Sequence, residues 1–162
     1  MGLVPKTDIG KVDAIVDRYG ADASSLLAIL QDLQDEARYL PREALDRVVE
    51  RLGVPLARIY AMATFFQSFH LKPRGEHIFT VCVGTACHVR GAKRLVEQLE
   101  RDLKIPSGAT TADLKFTLEE VNCVGACALG PLVIINGEYN GSMTSGRLTK
   151  IAERLAKGEV KE

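Results

Sequence analysis

The sequence carries no surplus of charge, because 21 lysines and arginines offset 21 aspartates and glutamates over 162 residues. A chain balanced in this way sets up no long-range field to gather phosphate backbones or anionic lipid, which argues against nucleic acid as a partner. Long apolar runs are missing too. No segment approaches the roughly 20 apolar residues of a membrane span, and the opening stretch MGLVPKTDIGKVD lacks the apolar centre of a secretory signal. The expectation is a cytoplasmic protein without direct membrane insertion, free to sit in a membrane-associated complex. There is no C-x-x-C, which excludes a thioredoxin-type redox dithiol. There is no G-x-G-x-x-G either: GATTAD and NGEYNG do not supply one, so dinucleotides are expected to bind elsewhere. The scattered serines, histidines and carboxylates form no linked nucleophile, base and orienting group, which leaves hydrolytic catalysis without support.

What is present divides in two. A chain of this length fits one or two domains and buries roughly 70% of its unfolded surface without staples, so no cofactor is needed merely to fold. Up to about Phe69, apolar residues recur every three or four positions in IGKVDAIVDRY, ASSLLAILQDLQDEARYL, REALDRVVERL and PLARIYAMATFFQSF, which predicts four short helices. Gly20, Pro41, Gly53 and Pro55 punctuate them. LKPRGEH then breaks the pattern and reads as a linker over 71–76. Beyond it the order is strand 77–84, helix 88–104, strand 116–123, strand 131–137 and helix 145–158, with GATTAD as a loop between the first helix and the second strand. A crossover between the first two strands and an antiparallel hairpin between the second and third would give a small mixed sheet, in a thioredoxin-like layout. The predicted fold is therefore α+β/α/β, with an N-terminal helical bundle over 1–72 and a thioredoxin-like mixed-sheet domain over 73–162.

All four cysteines fall in the second part, as CVGTAC (Cys82, Cys87) and CVGAC (Cys123, Cys127). Each pair follows a predicted strand. If those strands are parallel neighbours, four thiolates converge at one end of the sheet. Paired thiols in a reducing compartment more often mean metal or redox chemistry than a disulfide. A 2Fe-2S core with four thiolates carries about −2 overall, a charge that backbone amides pointing at sulfur can offset. The loops between the cysteines, Val83–Ala86 and Val124–Ala126, are small or apolar and contain no carboxylate. Zinc also accepts four cysteines, but zinc ribbons use C-x2-C pairs about 15 to 20 residues apart. The gap here, residues 88–122, is longer. Buried inert thiols are a third reading. Spacing alone favours a 2Fe-2S cluster and leaves a zinc-stabilised interaction module open.

At these residues the chain resembles the thioredoxin-like 2Fe-2S ferredoxin subunits of NADH-linked oxidoreductases. That family includes the 24-kilodalton or E subunit of NADH:quinone oxidoreductase and its counterparts in NAD(P)-linked hydrogenases and formate dehydrogenases. The markers are ATFFQSFHLKPRG, VCVGTACHVRGA, TTADLKFTLEEVNCVGACALGP and a closing hairpin and helix. The resemblance implies that Cys82, Cys87, Cys123 and Cys127 hold one 2Fe-2S cluster. It implies a partner subunit that carries FMN and oxidises or reduces NAD(P)H, further iron-sulfur subunits, and a chain that is not catalytic alone. GTACHVRGA looks more like the hydrogenase and formate dehydrogenase branch than the respiratory one. Gly130 in CALGP departs from the alanine that relatives often carry and leaves every ligand position intact.

Other residues invite weaker readings. His88 follows a cysteine directly, but a Rieske centre needs two histidines on one iron and no second one is near in sequence. A surface position in the first turn of a helix is the expectation for it. His70 and His77, flanking the linker, are expected to face solvent or bond locally. Tyr60, Phe65, Phe66 and Phe69 lie at helical spacing, which makes core the first expectation and a docking surface for the flavin subunit the second.

Overall fold

The computed structural model describes residues 7–66 and 68–158. Residues 1–6, part of the stretch read above against an export signal, and Gln67, inside the fourth predicted helix, lie outside the described residues. The chain forms two compact units, with Arg74 ending the first and Gly75 opening the second. Among the described residues no helix is long and apolar enough to cross a membrane.

The first unit is helical: α1 (Ile9–Arg18), α2 (Leu26–Ala37), α3 (Arg42–Leu52) and α4 (Leu56–Phe65). A 3-10 turn, Ala23–Ser25, leads into α2. Each helix buries a stripe at three- and four-residue spacing, for example Leu26, Ile29, Leu30 and Leu33 in α2, and these stripes meet in one core with Val16, Leu45 and Ile59. Asp8 caps α1 by accepting from the Gly10 N–H. Pro41 and Pro55 stand immediately before α3 and α4, and Gly53 ends α3 in the left-handed conformation. Asp13 on α1 binds the Arg47 guanidinium through both oxygens at 2.8 and 3.0 Å and the Arg51 guanidinium at 2.7 Å, pinning α1 to α3.

The second unit contains β1 (His77–Cys82), α5 (Thr85–Val89), α6 (Ala92–Leu103), β2 (Phe116–Val121), β3 (Val133–Ile135), β4 (Glu138–Asn140) and α7 (Ser145–Ala156). The sheet order is β2-β1-β3-β4. Strands β1 and β2 run parallel, with His77 opposite Phe116 and Cys82 opposite Val121. Inward-facing Phe79 and Val81 of β1 and Leu118 of β2 are fully buried beside Leu99 of α6 and Leu148 of α7. GATTAD folds back on β2, with Thr110 bridged to Thr117.

Two sequence expectations need correction here. The single helix predicted over 88–104 is two helices, because Gly91 takes a φ of 96° between them. The predicted hairpin between the second and third strands does not form. The segment after β2 contains the second cysteine pair and the 3-10 turn Cys127–Leu129, and it carries the chain across to the other side of β1. There β3 pairs antiparallel to β1. The hairpin is instead β3–β4, turned by Asn136 and Gly137, both with positive φ.

Candidate metal centre

Parallel pairing of β1 and β2 sets the geometry. Cys82 is the last residue of β1, and the Val83 N–H extends the ladder by donating to the Val121 carbonyl at 2.8 Å. The two strands therefore release their loops side by side. Cys87 sits within α5, not in a bare turn, and α5 starts directly after Gly84. A Cβ on Gly84 would stand 2.3 Å from the Asn122 carbonyl oxygen and 3.2 Å from Cys123 Cβ, so the first loop touches the second at a position that only hydrogen can occupy.

The four sulfurs come together from both loops. Contacts of hydrogen-bonding reach join Cys82 to Cys87, Cys82 to Cys123 and Cys123 to Cys127, and Cys127 lies close enough for its charge to act on Cys87. Every one of the four is a free thiol. Cys82 and Cys87 are buried, at 3% and 2% exposure, whereas Cys123 and Cys127 are exposed. Val83, Val124 and Ala126 pack the site against the core of the unit.

Backbone amides point at these sulfurs. Cys82 receives the N–H groups of Gly84 and Val124, Cys87 that of Leu132, and Cys123 that of Gly125 at 3.4 Å. Burial alone would push the Cys82 thiol up, but the Gly84 amide, the Cys87 thiol, the Val124 amide and the Cys123 thiol together hold it below the ordinary cysteine value. Burial raises Cys87, and hydrogen bonding and charge at Cys82 add to it against the Leu132 amide. Cys127 is raised chiefly by its hydrogen bond with Cys123 and by that neighbour's charge. The pattern is that of several thiols competing for a negative charge that the surrounding amides stabilise. Among the described residues no three His, Cys, Asp or Glu side chains close around a single ion. Two irons bridged by sulfide ask for only two thiolates each, and the donor set fits that demand.

The family model for thioredoxin-like [2Fe-2S] ferredoxins matches residues 12–156. The chain belongs to that family. As a thioredoxin-like ferredoxin it has a 2Fe-2S cluster as its cofactor. The HndA subunit of the NADP-reducing hydrogenase of Solidesulfovibrio fructosivorans is 37% identical over 149 residues, 92% of this chain and 87% of that one. The E 2 subunit of the NADH-quinone oxidoreductase of Rhizobium meliloti (strain 1021) is 33% identical over 149 residues, 92% and 89% of the two chains. An NAD+-reducing [NiFe]-hydrogenase in the air-oxidized state superposes with a TM-score of 0.72 at 23% identity. That match covers 83% of this ferredoxin and 23% of the hydrogenase chain, and it supports the fold.

The structure brings all four sequence-predicted cysteines together. His88 lies exposed on α5, as expected. His77 differs: it is buried at the start of β1 and its Nδ1 pairs with the Asn136 amide nitrogen at 3.1 Å. The aromatic group splits, with Phe69 in the helical core and Phe65 79% exposed, because α4 ends at Phe65 and its last residue turns away from the inward stripe. Sequence reasoning missed the Val124 and Leu132 amides, which no residue type announces. It also missed Arg90, whose Nη1 donates to the carbonyls of Cys127, Ala128 and Gly130 at 2.9, 3.4 and 3.2 Å. The only available signal was its place three residues after Cys87.

Proposed function

We propose that this ferredoxin is an electron-transfer subunit in which Cys82, Cys87, Cys123 and Cys127 would together hold the cluster. In this reading it exchanges single electrons with the FMN of a partner subunit that oxidises NAD(P)H. The carrying observation is the set of backbone amides aimed at the sulfurs, those of Gly84, Val124 and Gly125 from the two loops and that of Leu132 just before β3. Such donors offset negative charge and tune reduction potential, and they would be superfluous around inert thiols. When bound, the cluster supplies one-electron redox chemistry. The chain's own residues hold the thiolates, limit water through Val83, Val124 and Ala126, and leave one side open. That open side is a cleft of about 740 Å³ over Cys123 and Cys127, which gives a partner's redox group its nearest approach to the site.

Relatives at 37% and 33% identity come from an NADP-reducing hydrogenase and from NADH-quinone oxidoreductases, so membership of a complex of one of these kinds is the coarser reading. Within it, the GTACHVRGA run and the 37% hydrogenase relative favour a hydrogenase or formate dehydrogenase assembly over the respiratory one.

Anaerobic purification with iron, sulfide and zinc analysis tests the site. The expected result is a coloured protein with two irons and two sulfides; a colourless sample with stoichiometric zinc and no iron would defeat the reading. Cys123→Ser, which swaps a thiolate for a harder and weaker ligand, should lose or grossly perturb the cluster. A wild-type visible and EPR spectrum in that variant would refute the ligand assignment. Copurification tests the partner: a flavin subunit with a hydrogen-activating or formate-oxidising subunit is expected, and a quinone-reducing membrane arm in its place would reverse the preference.

A further inference from the structure

Arg90 follows α5, the short helix that carries Cys87, and closes onto a segment 37 to 40 residues further along the chain. Its three carbonyl partners belong to the 3-10 turn Cys127–Leu129 and the residue that ends it, Gly130. The Cys127 carbonyl already accepts the Gly130 N–H at 3.2 Å, and a guanidinium is well suited to collect several carbonyls at the end of a helical turn. One of the three is the backbone carbonyl of Cys127 itself. Gly130 is buried, and a Cβ built there would stand 3.1 Å from Cys87 Sγ and 3.3 Å from Arg90 Nη1. The Cys87 sulfur and the arginine charge are thus neighbours across one glycine.

We propose that Arg90 is a positioning residue for the redox site. Its guanidinium locks the Cys127–Gly130 turn against the Cys87 helix and keeps a fixed positive charge beside the cluster, raising the cluster's reduction potential. The inference rests on the functional reading above. Reduction adds one electron to an assembly of about −2 and brings it to about −3, with no bond made or broken. A cation held nearby favours the more negative form. Because Arg90 is exposed, its influence is screened by salt, which a purely structural role would not be.

Full-length holoprotein, wild type, Arg90→Gln and Arg90→Lys, is titrated potentiometrically with dithionite while the reduced cluster is followed by EPR, at low and high ionic strength. R90Q is expected to lower the reduced-to-oxidised ratio at fixed potential about tenfold, equivalent to about 59 mV for one electron. The difference shrinks at high salt, and R90K stays near wild type. An intact cluster in R90Q with the wild-type midpoint at low salt overturns the proposal and leaves the cluster assignment standing. Absence of any 2Fe-2S signal in the wild type overturns both. Should R90Q shed its cluster, R90K carries the test, since it keeps the charge but loses the forked donor. It is then expected to hold the wild-type midpoint and to release iron to a chelator several-fold faster, and release at the wild-type rate defeats the clamp.

Discussion

Gly84→Ala is the most demanding check on the site's construction. Gly84 has φ −55° and ψ 157°, a backbone that alanine adopts readily, so any damage must come from contact. The added methyl would stand 2.3 Å from the Asn122 carbonyl oxygen, where ordinary van der Waals contact begins near 3.4 Å. That carbonyl is main chain and cannot rotate away, so the two cysteine loops must separate by about 1 Å, with an overpacking cost of about 1–3 kcal/mol. At roughly 2–4 °C per kcal/mol for a protein of this size, the melting temperature should fall by about 2–12 °C. The same displacement pulls Cys123, whose Cβ is 3.2 Å from the new methyl, away from Cys82. Cluster occupancy should drop together with stability. Differential scanning calorimetry with iron analysis measures both. Gly146→Ala, in α7 with nothing within 4 Å of the added Cβ, is the control, and it should be neutral or stabilise by up to about 1 kcal/mol. If G84A melts and binds iron like the wild type, the close approach of the two loops is not what holds the thiolates together.

Two further predictions concern each unit's own support. Hydrogen bonds from Arg47 and then Arg51 hold the Asp13 carboxyl below its usual value, so its stabilisation is complete above the ordinary carboxylate range and is lost as pH falls through the depressed value. Asp13→Asn should therefore be less stable than wild type at pH 7, with the gap closing in acid; urea melts from pH 7 to below pH 3 with a constant gap would contradict this. Buried Thr117 accepts the Gly75 N–H at 2.6 Å and pairs with Thr110 at 2.9 Å. Thr117→Val strands that amide and should cost about 1–3 kcal/mol in chemical denaturation, while Thr117→Ser should recover most of it; equal stability of the two variants would remove the bond's significance.

What the sequence reveals here depends on whether side chains or main chain do the work. The helical stripes are legible because burial repeats every three or four residues, and Pro41, Gly53 and Pro55 mark ends that backbone chemistry dictates. The cysteine pairs are legible for the same reason: thiols are rare and their spacing is specific. Strand partnership is less so. The pairing of β3 with β1 is decided by where the Cys123–Gly130 segment carries the chain, and no periodicity records that path. Strand β4 is three residues long with Tyr139 exposed, too short for an alternating pattern, although Asn136–Gly137 was a turn signal. In the site itself, the sulfur-facing donors are peptide N–H groups, which every residue but proline possesses, so only the fold distinguishes Val124 and Leu132 from their neighbours.

The parallel pairing of β1 with β2 also has a consequence in time. Cysteines on a single hairpin would assemble as soon as that hairpin closed, within microseconds. Here the two pairs lie at opposite ends of a crossover that contains α6, and they meet only when strands distant in sequence have found each other in register. Non-local pairing of this kind is among the slower steps of folding. A nascent or partly unfolded chain therefore offers either loop as an ordinary couple of thiols, and capture of the cluster marks the completion of tertiary structure.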